Sequence, residues 1–415
     1  RALALSSAAG AALLALLFHA ANDFAPLDAY LPPAAVDASV EGHFADSYYD
    51  ARALFRSRAR VVPGAALHSL PLPGFELEDL TIDVALVRGS SARAVVHISG
   101  THGVEGFAGS GIQSALLQQL ADDAASGAGG TAGAADAPTL VFVHALNPYG
   151  FAKLRRFNEN NVDLNRNFLT PAEFEQRIAM DPNAFGYVDM LEVLNPPGPV
   201  TWTSLASTLY GAVRGELTHG KGSLKRAAVC GNYHFPRTIF FGGVEQQASG
   251  ALLQRFLTEH LDVSKLEHIG LIDVHTGLGA PGVDTLLLKQ GADSDVARAV
   301  FHDATVAVSG EEDDAAAKGY DGAAGFLCNG IAWFMPPHVA KLCLTQEFGT
   351  APGVAVLKAL VEENAMYHYA PTRRLPYGQK LRDVFYLHRS AKWKADVIER
   401  GVRVFEQLKQ RLSSK

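Results

Sequence analysis

Apolar positions recur every three to four residues from Tyr48 to Val61 ("YYDARALFRSRARV"), the spacing of an amphipathic helix. The pattern then changes. "LTIDVALVRG" and "RAVVHISG" are β-branched runs ending in glycine and predict strands, while "GFAGSGIQSALLQQLADD" returns to helical spacing. "TLVFVHALNPYGF" predicts a buried strand feeding a turn. "HIGLIDVHTGLG" and "VAKLCLTQEFGT" predict further strands, each ending in polar residues and glycine. Strands alternating with helices predict an α/β fold with a largely parallel sheet. In such sheets the loops after the strand ends carry the sites, and here those loops hold the polar motifs.

Between these elements the pattern thins. Residues 170–261 are less regular, with "LNPPGPVTW" as a breaker and "YHFPRTIFFGG" as an irregular apolar-aromatic stretch. This region reads as a substrate-shaping insertion. Ala124 to Pro138 is low-complexity Ala/Gly and reads as a surface insertion. Residues 1–42 divide into an apolar segment and a Pro/Ala-rich linker from Phe24 to Gly42, leaving residues 43–415 as one domain without internal repeats. The opening "RALALSSAAGAALLALLFHAAND" resembles a signal or transit segment, with a weak anchor and a plain amphipathic helix as equal alternatives. Its alanines and His19 argue against a firm membrane span, which needs about 20 strongly apolar residues.

Composition narrows the function. The chain has 415 residues, 48% hydrophobic, and a net charge of −7. That length supports a sizeable core, and a mildly acidic balance without basic runs gives no electrostatic footprint for nucleic acid, which is not expected as a partner. Cys230, Cys328 and Cys343 have no C-x-x-C spacing and cannot all pair. No disulfide framework or cysteine-zinc module is expected, and a reducing, cytoplasmic setting is favoured for the domain.

Four motifs carry candidate chemistry. His102 and Glu105 sit in "THGVEG", whose glycines let the backbone fold tightly around an ion. Alone, the motif fits a hydrogen-bonded turn better than a ligand pair. His275 in "LIDVHTGLG" occupies a similar strand end, with Asp273 two residues upstream on the same strand face as a group able to orient it. Glu347 in "TQEFGT" ends the last predicted strand, where a carboxylate can act as general base. Arg155, Arg156, Asn165 and Arg166 in "RRFNENNVDLNRNF" offer donor forks suited to a carboxylate or oxyanion. His97, His144 and His234 lack partners at ligand spacing and read as packing or surface histidines.

"HGVEG", "NPYGF", "DLNRNF", "DVHTG" and "TQEFG" occur in an order that resembles the zinc metallocarboxypeptidase family, near its aspartoacylase and succinylglutamate desuccinylase side. The resemblance covers roughly Phe44 to the C-terminal helix and is nearest to a branch with little substrate knowledge. It implies a central mixed, largely parallel eight-stranded sheet flanked by helices. It also implies one zinc ion held by His102, Glu105 and His275, with Glu347 as general base. Arg156 then matches the arginine that polarises the scissile carbonyl, with Arg155 as second candidate. Asn165 and Arg166 match the pair that grips a terminal carboxylate, and Tyr320 matches the family's mobile tyrosine.

The expected activity is therefore a metallopeptidase of carboxypeptidase type, a hydrolase cleaving an amide or peptide bond beside a free carboxylate. An N-acyl-amino-acid deacylase of the aspartoacylase type is the alternative, and a catalytically silent binding module a further one. A serine hydrolase needs G-x-S-x-G, but Ala108 and Ile112 flank Ser110. The dinucleotide motif G-x-G-x-x-G is absent.

Overall fold

The computed structural model describes residues 38–127, 136–220, 222–289, 293–309 and 322–413. The first long helix, α1 (Tyr48–Val61), has the bounds its periodicity predicts. Ser47 caps it by accepting the Asp50 N–H. It leads into β1 (Ala65–Pro71), β2 (Thr81–Val87) and β3 (Arg93–Ile98). A turn after β3 starts α2 (Gly106–Ser126), followed by β4 (Thr139–His144). The later strands are β5 (His268–Pro281), β6 (Asp284–Lys289), β7 (Thr305–Ser309) and β8 (Ala340–Gly349).

These eight strands form one mixed sheet in the order β1-β2-β4-β3-β5-β8-β6-β7. The central run β4-β3-β5-β8 is parallel, while β2 on β4 and β6 on β8 are antiparallel. The sequence expectation of a central mixed, largely parallel eight-stranded sheet is met. Period-two alternation sends side chains to two cores. Val95, Ile272 and Val274 face the layer formed by α2 and the C-terminal helix. Val96, Ile98 and Leu271 face the other layer.

That second layer contains a helix at Ala248–His260, whose Leu253, Phe256 and Leu257 are core residues. The region read as an insertion, residues 170–261, thus ends in a core helix. Its earlier part is helical rather than irregular, with α3 (Pro171–Ala179), α4 (Leu191–Leu194), α5 (Trp202–His219) and α6 (Ser223–Cys230). Thr170 and Glu173 form a capping box that starts α3. The linker is described only from its end, where Ala38–Glu41 is one helical turn whose Glu41 accepts from Lys394 Nζ at 2.6 Å. The rest of the apolar N-terminal segment and the middle of the Ala/Gly insertion lie outside the described residues. No helix among the described residues is long and apolar enough to cross a membrane.

Cysteine spacing predicts no disulfide framework, and the structure holds one isolated disulfide that the spacing does not reveal. Cys328, in α7 (Leu327–Phe334), is bonded to Cys343 of β8, their Cα atoms 5.5 Å apart. The pair is invisible to motif spacing because packing of a helix against its following strand creates it. Disulfides persist in oxidising compartments, so the basis for a reducing, cytoplasmic setting falls away. Cys230 is free and buried.

Candidate metal centre

The parallel strands β3, β5 and β8 end side by side. Ile98 pairs with Asp273, and His275 with Glu347. The chain crosses back over the sheet between β4 and β5, which makes the β3/β5 junction a topological switch point, the place where open α/β sheets carry their sites. After β3 the backbone turns at Gly100 (φ +67°), presents His102, and makes one 3-10 turn from Gly103 to Glu105 before α2 begins. This turn is clamped from behind: Gly103 N–H and Val104 N–H donate to the carbonyls of Arg156 and Arg155 at 3.2 and 2.8 Å. The two glycines allow the close approach, since a Cβ on Gly103 would overlap the Gly150–Phe151 backbone.

His102, Glu105 and His275 are buried, and one ligand atom from each lies within 4.8 Å of the others. His102 Nδ1 is 2.9 Å from Glu105 Oε1, and His275 Nδ1 is 3.2 Å from Glu105 Oε2 and 3.0 Å from His102 Nδ1. The far ring nitrogens are held by carboxylates. His102 Nε2 lies 3.0 Å from Asp163 Oδ1, and His275 Nε2 lies 2.7 Å from Asp273 Oδ2. Asp273 also accepts from Thr101 Oγ1 at 2.7 Å. Because an ionised carboxylate only accepts, each Nε2 carries its hydrogen and each Nδ1 turns to the common point. Two imidazole nitrogens and one carboxylate, fixed from behind, fit zinc and could hold a metal ion. It is the only such group among the described residues.

The electrostatics follow from these contacts. Burial pushes the Glu105 carboxyl up, but His102, His275 and Arg156 outweigh it and hold the group below the usual carboxylate range. Burial pushes His275 down, but Asp273 and Glu105 win and raise it well above an ordinary histidine. Glu347 goes the other way. Burial, then the Glu105 charge, pushes it up to about 7 against His275, Arg156 and the Leu278 N–H, which donates to Glu347 Oε1 at 3.0 Å.

The arginines separate. Arg156 donates from Nε to Asp163 Oδ2 at 3.0 Å and from Nη1 to Glu105 Oε1 at 2.9 Å, so it borders the centre. Arg155 does not. Its guanidinium, the second candidate for polarising the carbonyl, is wholly buried on Glu363, Asn161 and Asn364 and stacks on Tyr367. Asn165 Oδ1 accepts the Leu327 N–H at 2.9 Å. Arg166 donates from Nε to Val229 O and from Nη1 to Asn165 O, with its face over Phe326. Tyr320 lies outside the described residues.

The set-aside histidines have other partners. His97 contacts Gln113, His144 pairs with Ser110 Oγ at 3.0 Å, and His234 Nε2 lies 3.0 Å from Ile178 O. Asp163 is the residue that sequence reasoning missed. It caps the Leu164–Arg166 turn through Asn165 N–H while bridging His102 and Arg156. An aspartate inside an Asn-rich stretch reads as a turn former, and no spacing rule gives it a second task.

Residues 44–400 match the family described as "Protein of unknown function (DUF2817)". The chain belongs to the DUF2817 family. No curated protein matches it. Among solved structures it is similar to a protein provisionally named carboxypeptidase A from Shewanella denitrificans OS-217. That pair is 13% identical, with 83% of this chain and 70% of that one covered and a TM-score of 0.41. Thrombin activatable fibrinolysis inhibitor matches at 10% identity over 89% of this chain and 81% of that one, TM-score 0.41. A succinylglutamate desuccinylase from Silicibacter sp. TM1040 matches at 15% identity over 74% and 68%, TM-score 0.31.

Proposed function

We propose that this DUF2817 chain is a zinc-dependent hydrolase that cleaves an amide or peptide bond beside a free carboxylate. The observation that carries the reading is the buried convergence of His102 Nδ1, His275 Nδ1 and the Glu105 carboxylate, with Glu347 in register beside His275. Zinc held by His102, Glu105 and His275 would supply a Lewis acid that polarises the carbonyl and acidifies a water. Glu347 acts as general base, taking a proton from the attacking water and delivering it to the leaving amine. A carboxyl poised near 7 suits both transfers. Arg156 supports the charge that builds on the carbonyl oxygen. Asn165 and Arg166 orient the substrate carboxylate; among the described residues Arg166 donates to two carbonyls, from Nε to Val229 O and from Nη1 to Asn165 O, and a guanidinium has five N–H donors. Tyr320 completes the proposed set.

Small substrates are favoured by one observation. Asn165, Arg166 and Glu347 are 6%, 5% and 9% exposed, which suits an N-acyl amino acid better than the end of a folded protein. The deacylase reading therefore stands beside the carboxypeptidase one.

The test joins metal content to turnover. The purified chain should hold stoichiometric zinc, and Glu347→Gln should keep the metal while lowering kcat by about 10²- to 10⁴-fold. Blocked dipeptides and N-acyl amino acids, each with a free or amidated carboxylate, separate the substrate classes. A chain without zinc whose activity survives Glu347→Gln overturns the reading, and indifference to amidation removes Asn165 and Arg166 from the clamp.

A further inference from the structure

The strap from Thr238 to Gly243 reads in the sequence only as part of an irregular aromatic stretch. In the structure it runs along the metal centre. Phe241 O accepts the Asp163 N–H at 2.7 Å, and Phe240 O accepts the Asn232 N–H at 3.0 Å. From the insertion side, Tyr187 OH donates to Ile239 O, and Asn195 Oδ1 accepts the Ile239 N–H at 2.8 Å. Phe240 itself has φ +59°, a left-handed conformation that is strained for a bulky side chain and free of cost for glycine.

What phenylalanine adds at that position is a ring. The guanidinium carbon of Arg156 lies 5.4 Å from the Phe240 ring centroid, and Phe157 packs edge-on against the same ring at 6.3 Å. The ring is 7% exposed. Asp163 and Glu105 fix Arg156 through hydrogen bonds from Nε and Nη1, which constrain the guanidinium within its own plane. Phe240 constrains it from one face, in surroundings dry enough for a cation–π contact to count.

We infer that Phe240 is a positioning residue of the proposed hydrolase: its ring, held by the strained strap, keeps the Arg156 guanidinium aimed at the oxyanion formed during hydrolysis. The inference rests on the hydrolase reading above.

The test uses the full zinc-loaded chain, with inorganic phosphate as a tetrahedral anion probe followed by calorimetry. kcat/KM is measured in parallel on the N-acyl amino acid or blocked dipeptide that the parent cleaves best. Phe240→Leu keeps apolar volume and loses the π face. Phosphate affinity and kcat/KM should each fall about tenfold, with zinc stoichiometry unchanged and Phe240→Tyr restoring both. In an Arg156→Gln background the leucine substitution should cost less than about twofold, because the cation it acts through is gone. If the leucine variant fails to fold, Phe240→Gly, which relieves the backbone while removing the ring, should show the same losses. Unchanged phosphate affinity and kcat/KM, or equal losses in both backgrounds, overturn the inference. A parent that binds no zinc and cleaves nothing fails at the earlier step, so the two failures are distinguishable.

Discussion

Asp163 shows how much one side chain can carry. It sits on His102 Nε2 and Arg156 Nε at 3.0 Å each, so it orients a candidate metal ligand and a candidate oxyanion donor together. Burial pushes its carboxyl up, yet Arg156, His102 and Arg166 hold it well below the usual range. It is therefore ionised across the working pH range and accepts from both partners. Asp163→Asn removes the charge and halves the acceptors, so the His102 ring loses its fixed tautomer. Zinc affinity should fall about 10- to 100-fold, measured by competition with a chelating dye. An affinity within twofold of the parent would show that His102 is oriented by packing alone.

At the scale of elements, the centre depends on backbone proximity between the turn at Gly103–Glu105 and the segment at Arg155–Arg156. Neither segment is a helix or strand of any length. Two main-chain hydrogen bonds join them, and the Arg155 side chain anchors the second on Glu363 in the helix Gly353–Tyr369. Gly103→Ala places a methyl inside the Gly150–Phe151 backbone, which must move. The expected outcome is a loss of about 2 kcal/mol or more in unfolding free energy together with weaker zinc binding, read by urea denaturation and zinc titration. A variant that loses stability and keeps zinc affinity would separate the clamp from the metal turn. Much of this element level was legible beforehand. The bounds of α1 and the ends of β3 and β5 follow from periodicity, because each buries one face or two against neighbours. The helices of the insertion were not, because "LNPPGPVTW" breaks the pattern and α5 lies between turns that obscure its period.

Across the whole molecule, burial sets the response to acid. His97 is pushed down to about 3 and His144 to about 4, both by burial, from an unfolded value near 6.5. Their folded values lie below the unfolded one, so the fold holds them neutral. The stability this confers is present above pH 6.5 and is lost as pH falls toward 4. Each group should contribute a slope of about 1.4 kcal/mol per pH unit in that window. Other groups titrate in the same window: Glu347, raised to about 7, stabilises the fold as pH falls from 7 to 4.5, while His368, lowered to about 4, adds to the loss. The buried pair is therefore read as a difference, and the urea midpoint of the parent should fall more steeply with acid than that of a His97→Gln, His144→Gln double variant. Equal pH dependence in the two proteins would mean that water reaches these rings.

The order of motifs along the chain determined, by itself, the α/β class, the candidate ligand residues and their place after strand ends. Those properties are local: a strand's period, a turn's glycines and a side chain's donor atoms are readable within a few residues. The tertiary structure alone decided the rest. That Asp163 serves both His102 and Arg156, that Arg155 turns away to Glu363, that Cys328 meets Cys343, and that the Phe240 ring covers Arg156 are contacts between segments packed together by the fold. Several of them join residues tens to hundreds of positions apart. No local pattern encodes such distances, because they are set by how strands align and layers pack, and the chemistry of the centre depends on them.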